Sequence, residues 1–215
     1  MKVYFLSGLG ADSRAYKHLK LAPHLEPVYI EWLIPETEDT LRTYAKRIAH
    51  LIDTSKPFAL VGLSFGGILS TEVLEFVKPH KTIILSSVTN RRQLPFYYRL
   101  AGRLKLNKLL PAKATNRANV FTYWFFGISS ENDKTLLRDI LTSTNTAFSK
   151  WAVNEILNWK RNESPAALIR IHGSRDRVLP INGFTPDYLI DDAGHFMIVN
   201  RAAEISTIMN SVLSQ

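Results

Sequence analysis

The stretch Phe58-Ala-Leu-Val-Gly-Leu-Ser-Phe-Gly-Gly67 decides how this chain is read. Phe58 to Leu63 is an uncharged, strand-like run, and it delivers Ser64 into a Gly-x-Ser-x-Gly pattern. The residues that follow, Gly67-Ile-Leu-Ser-Thr-Glu-Val-Leu-Glu-Phe-Val77, carry apolar side chains at helical spacing. Strand, sharp turn and helix therefore come in the order that lifts a serine hydroxyl clear of the backbone. Gly62 and Gly66 leave room for strand and helix to approach closely. The pattern reads as a nucleophile elbow with Ser64 at its tip.

Working outward, short apolar runs alternate with helix-like segments, which is the signature of stacked β-α units and a mostly parallel sheet. Strands are predicted over Lys2 to Leu6, Pro27 to Trp32, Phe58 to Leu63, Lys81 to Leu85, Ala166 to Ile171 and Tyr188 to Ile190, six in all. Helices are predicted over Ala11 to Leu21, Thr40 to Ile52, the segment after Ser64, and Ala202 to Leu213. From about Val88 to Glu163 the strand rhythm stops, and the chain becomes helical in pattern and unusually aromatic. Residues 1–87 and 164–215 thus read as an α/β core, with residues 88–163 as a helical insertion.

The 215 residues are 46% apolar, enough for one sizeable core. Cysteine is absent, which excludes disulfides, thiolate metal sites and a cysteine nucleophile. The apolar run at the N-terminus, Val3 to Leu6, is far shorter than a signal-peptide core, and no apolar stretch approaches a membrane span. A cytoplasmic protein without stable membrane insertion is expected. Net charge is +8 and is concentrated. Arg91, Arg92, Arg99, Arg103, Lys105, Lys108, Lys113 and Arg117 stand in a segment where no Asp or Glu occurs between Glu75 and Glu131. Such a block attracts anions, acidic proteins or an anionic surface. The chain carries no recognised nucleic-acid motif, so no nucleic-acid partner is expected.

A serine hydroxyl needs a base within hydrogen-bond reach and a third group to orient that base. Two downstream segments offer candidates. His172-Gly-Ser-Arg-Asp176-Arg-Val-Leu-Pro180 places Asp176 on a loop after a strand, and Ala193-Gly-His195 places His195 after the last strand. His172 reads as a packing residue beside the acid loop, and Asp191 and Asp192 as flanks of the His195 loop.

At these residues the chain resembles the α/β-hydrolase superfamily, in particular its small bacterial-type serine hydrolases with a helical cap. The likeness covers essentially the whole length, with the first two strands of the full family fold missing. By that resemblance Ser64 is the nucleophile, His195 the general base and then acid, and Asp176 the orienting carboxylate, in the family's chain order. The resemblance also implies an oxyanion hole built from the backbone N–H groups of Phe65 and Leu9. Leu9 lies in Leu6-Ser7-Gly8-Leu9-Gly10, where Ser7 replaces the family's usual histidine. This loop lacks the third glycine of a dinucleotide-binding fingerprint. No metal spacing is present, and the chemistry implied requires no metal or other cofactor.

The resemblance thus implies a carboxylesterase or thioesterase that works through an acyl-enzyme. Phe96, Tyr123 and Trp124 are expected to line an apolar acyl pocket. The basic half of the insertion suggests a substrate whose far end is anionic, as in a coenzyme A conjugate or an acidic carrier protein. A different reading keeps the fold but makes it a non-catalytic binding module that uses the basic, aromatic insertion.

Overall fold

In the computed structural model, which describes residues 1–106 and 118–215, six strands form one wholly parallel sheet. They are β1 (Lys2–Leu6), β2 (Glu26–Ile30), β3 (Phe58–Leu63), β4 (Lys81–Leu85), β5 (Ile169–Gly173) and β6 (Tyr188–Ile190), in the spatial order β2-β1-β3-β4-β5-β6. All six residues of β3 are buried, as a central strand covered on both faces requires. Pro27 is accommodated because β2 lies at the edge of the sheet, where an N–H can be missing without breaking an interior ladder.

Alternation along the strands builds two cores. Val3, Phe5, Ala59, Val61 and Leu63 point to one face, against the helix α8 (Ala202–Leu213) through Ile205, Met209 and Val212. Tyr4, Leu6, Phe58 and Leu60 point to the other, against α1 (Leu41–Ala49) and α2 (Phe65–Val73). Thr40 caps α1 in a reciprocal capping box with Thr43.

The segment Ala11 to Leu21 departs from the predicted helix. Only a single 3-10 turn forms there, over Ser13–Tyr16. The Asp12 carboxylate accepts from the Arg14 backbone N–H and from Arg14 Nε, both at 2.9 Å. Tyr16 buries its ring and donates its hydroxyl to Leu6 O at 2.9 Å, which anchors the turn to the core. Local side-chain bonds of this kind compete with helix propagation. The fifth strand also begins later than predicted, at Ile169 rather than Ala166.

Between β4 and β5 the described chain is helical: α3 (Phe96–Arg103), α4 (Val120–Phe126), α5 (Glu131–Ser143) and α6 (Thr146–Leu157). Leu136, Leu137, Ile140 and Leu141 of α5 join one core, and Phe148 and Ala152 of α6 join the other. These helices therefore cover the carboxyl ends of the strands, where open parallel sheets place their sites. A short helix, α7 (Met197–Asn200), follows β6 and precedes α8. No helix among the described residues is long and apolar enough to cross a membrane. Lys108, Lys113 and Arg117 of the basic segment lie outside the described residues.

Candidate active site

Ser64 stands between β3 and α2 with φ 51° and ψ −116°, a backbone state that non-glycine residues rarely adopt. Several bonds hold it there. Its N–H donates to Leu85 O at 2.9 Å, and its carbonyl accepts from Gly67 N–H at 2.9 Å and from the Ser87 hydroxyl at 2.6 Å. A side chain at Gly66 would run into the Leu6 carbonyl, and one at Gly62 would come within 2.5 Å of Gly66 O. The two glycines thus allow α2 to pack directly on β1 and β3.

Ser64 Oγ lies 2.8 Å from His195 Nε2, and His195 Nδ1 lies 2.8 Å from Asp176 Oδ2. Asp176 Oδ1 accepts from the Val178 and Leu179 N–H groups, each at 2.9 Å. Nδ1 therefore carries the proton donated to Asp176, which leaves the Nε2 lone pair for the Ser64 hydroxyl. Asp176 and His195 are both buried, so this chain of bonds runs out of water and gains strength from the low dielectric.

His172 supports the acid loop from behind. Its Nε2 donates to Leu179 O at 2.8 Å and sits 3.5 Å from Asp176 Oδ2. Burial pushes the His172 pKa below its ordinary value, with the neighbouring Asp176 opposing in part, so the imidazole is held neutral. Asp192 points elsewhere, to an exposed ion pair with Arg175 at 2.8 Å.

Gly8, Leu9 and Phe65 border the space beside Ser64. Phe65 is the first residue of α2, so its N–H has no partner within the helix. The opposite loop is fixed by Ala11 N–H donating to Gly8 O at 2.9 Å, and by Thr144 Oγ1 2.6 Å from Gly10 O. The buried Ser7 side chain hydrogen-bonds Tyr16.

The cavity above Ser64 has a volume of about 480 Å³. On one side it is walled by Ala15, Leu137, Ile140 and Leu141, and on another by Tyr98, Ala101, Val153 and Ile156. Among the described lining residues His195 is the one ionisable group apart from the Tyr98 phenol, whose pKa burial raises further. Phe96, Tyr123 and Trp124 are not among them. Phe96 and Trp124 project into solvent, 69% and 55% exposed, and Trp124 lies under the Arg177 guanidinium, 4.3 Å from ring centroid to Cζ. Their near neighbours Tyr98, Thr122 and Phe126 take the inward positions. At about 100° per residue a shift of one or two positions turns a side chain from one face of a helix to another.

Phe126 belongs to the aromatic run Tyr123-Trp-Phe-Phe-Gly127 that the sequence offers as pocket lining, and its ring meets His195 edge-on at 5.3 Å while its carbonyl accepts from Phe196 N–H at 3.0 Å. Behind it, Gly127 and Gly194 meet so closely that a Cβ on either would lie 2.9 Å from the other's Cα. The Gly-His pair at 194–195 was one signal. Its partner Gly127, which ends α4 in the left-handed conformation, was the other.

A family model described as the alpha/beta hydrolase family matches residues 3–207. No curated protein sequence matches the chain. Among solved structures, MenH from S. aureus superposes with a TM-score of 0.71 at 15% identity, covering 100% of this chain and 93% of that one. An esterase from Exiguobacterium antarcticum gives 0.68 at 14% identity, with 100% and 92% covered. The enol-lactonase from Burkholderia xenovorans LB400 gives 0.65 at 14% identity, with 100% and 91% covered. At these identities the likeness is one of fold.

Proposed function

The chain belongs to the alpha/beta hydrolase family, and from that membership we propose that it is an esterase-type serine hydrolase acting on a small ester or thioester with an apolar acyl group. The observation that carries this reading is the unbroken chain from Ser64 Oγ through His195 to Asp176, two contacts of 2.8 Å opening into an apolar cavity. In the proposed cycle Ser64 Oγ attacks the substrate carbonyl carbon while its proton passes to His195 Nε2. Asp176 stabilises the imidazolium that forms. The oxyanion is met by the Leu9 and Phe65 N–H groups, the latter at the positive end of the α2 dipole. Collapse of the tetrahedral adduct breaks the ester or thioester bond. His195 returns its proton to the leaving alcohol or thiol, and the acyl group stays on Ser64. Water, deprotonated by His195, then attacks that acyl carbon and releases the acid.

The α3–α6 helices act as a cap in this reading, and their inward aliphatic side chains favour an uncharged acyl chain. Nothing cationic among the described lining residues would hold the phosphate of a coenzyme A conjugate or an acidic carrier.

The test is intact-mass analysis after incubation with a fluorophosphonate. The wild type is expected to gain one adduct, Ser64→Ala none, and His195→Ala and Asp176→Asn to react slower by on the order of a thousandfold. A folded wild type that takes no label would overturn the hydrolytic reading in favour of a non-catalytic binding module.

A further inference from the structure

The helix that walls the cavity on its inner side has an unusual outer side. Phe96, Leu100 and Leu104 follow one another at single-turn spacing along α3 and the turn beyond it, 69%, 48% and 57% exposed. Beside them Arg91, Arg92, Arg99 and Arg103 border, with Phe96 and Leu100, a surface depression of about 410 Å³. Among the other described arginines, Arg14 pairs with Asp12, Arg42 with Glu75, Arg47 with Asp39, Arg161 with Glu72 and Arg175 with Asp192, whereas Arg170 and Arg177 bond the Thr89 hydroxyl and the Trp124 carbonyl instead. Among the described residues none of the four arginines of the depression has a carboxylate partner. The sequence supplies none nearby, since no Asp or Glu stands between Glu75 and Glu131. Another helix bearing on the cavity, α4, likewise exposes Val120 and Phe121, at 82% and 79%.

We propose that the outer face of α3, together with the 3-10 turn Arg91–Gln93 before it, is a docking surface for an anionic lipid bilayer, with Arg91, Arg92, Arg99 and Arg103 meeting headgroup phosphates and Phe96, Leu100 and Leu104 entering the acyl boundary. Clustered cations repel one another and the apolar row beside them is left in water, and an anionic bilayer relieves both. A nucleic acid or an acidic protein surface matches the arginines but leaves the leucines in water. Docking there sets the bilayer against the helix whose other side, at Tyr98 and Ala101, lines the cavity. The contact is peripheral and reversible, and does not require a spanning segment. It does not depend on the chemistry of Ser64.

Co-sedimentation of the full chain with vesicles tests this, using phosphatidylcholine alone and phosphatidylcholine mixed in equal parts with phosphatidylserine. The wild type and Ser64→Ala are expected to sediment equally with the anionic vesicles, to remain in solution with the neutral ones, and to be released by raised salt. Arg99→Gln/Arg103→Gln is expected to weaken binding roughly thirtyfold, from about 1 kcal/mol for each of the two basic residues at such a surface. Leu100→Gln/Leu104→Gln is expected to weaken it as well, and an unchanged circular dichroism melt in both variants shows that the fold is intact. The proposal is overturned if the wild type ignores anionic vesicles, if the arginine pair can be replaced without loss, or if the leucine pair can. Displacement by millimolar inorganic phosphate also overturns it, since that marks a small-anion site.

Discussion

His172 and His195 are both buried beside Asp176, yet only His195 faces the cavity. The difference is one of neighbours. His195 Nε2 meets a hydroxyl, whereas His172 Nε2 is committed to the Leu179 carbonyl. Because burial lowers the His172 pKa, the unfolded chain takes up a proton that the folded chain refuses at pH values between the folded value and the ordinary value of about 6.5. The stabilisation is therefore complete above roughly pH 6.5 and is lost as the pH falls to the folded value. His172→Gln keeps a donor for Leu179 O and removes the titration. Urea unfolding at roughly pH 7.5 and 5.5 is expected to show the variant losing less stability on acidification than the wild type does. Equal losses would mean that folding does not shift the His172 pKa.

The helices between β4 and β5 act as elements with two sides. Gly102 of α3 is buried where a Cβ would strike the Leu157 carbonyl, so α3 packs on α6 without a spacer. This brings Ala101 to the cavity wall, with Tyr98 one turn before it. A large side chain at Ala101 fills that part of the cavity. Ala101→Trp is expected to lower kcat/KM for a p-nitrophenyl octanoate on the order of tenfold or more, while the acetate ester is cleaved as by the wild type. Equal loss on both esters would place the acyl chain in the other part, beside Leu137 and Ile140. The rotation of Phe96 and Trp124 to solvent belongs to this scale too. Aromatic content marked these helices as important, but which face each ring occupies follows from the neighbours that the helix packs against, Leu157 for α3 and Gly194 for α4.

The whole molecule is held together at the point where the chain returns from α6 to β5. Glu72 of α2 is buried there, accepting from Trp159 Nε1 at 2.8 Å and from Arg161 Nε at 2.9 Å. Arg161 also bonds Glu75, which in turn pairs with Arg42 of α1. The start of α1 is tied to α6 as well, through Leu41 N–H donating to Glu155 at 2.8 Å and Trp151 Nε1 donating to Asp39 O at 2.8 Å. Arg161→Met would leave the Glu72 carboxylate with less compensation in a buried place, at a cost of about 3 kcal/mol read as a lower urea midpoint. A midpoint within error of the wild type would show that water or Trp159 satisfies Glu72 alone. Much of this architecture was open to reading from residues in line. The apolar run before Ser64, the helix after it, and four of the six strand ranges stand where alternation and turn residues put them, because burial on both faces of a parallel sheet leaves a signal that needs no knowledge of neighbours. The elbow glycines were readable for the same reason, since a backbone too close for a Cβ excludes every other residue. The turn at Ser13–Tyr16 was not readable, because it forms only when Tyr16 finds the Leu6 carbonyl across the fold. Ser64, Asp176 and His195 were named together through the family resemblance rather than through any local pattern, and the inward turn of Phe126 and the pairing of Glu72 with Arg161, 89 positions apart, had no such guide. The sequence by itself determined which elements form and which residue types they carry to their ends. Only the tertiary structure decided which of those groups touch, because contact depends on packing between elements that the local pattern of the chain does not encode.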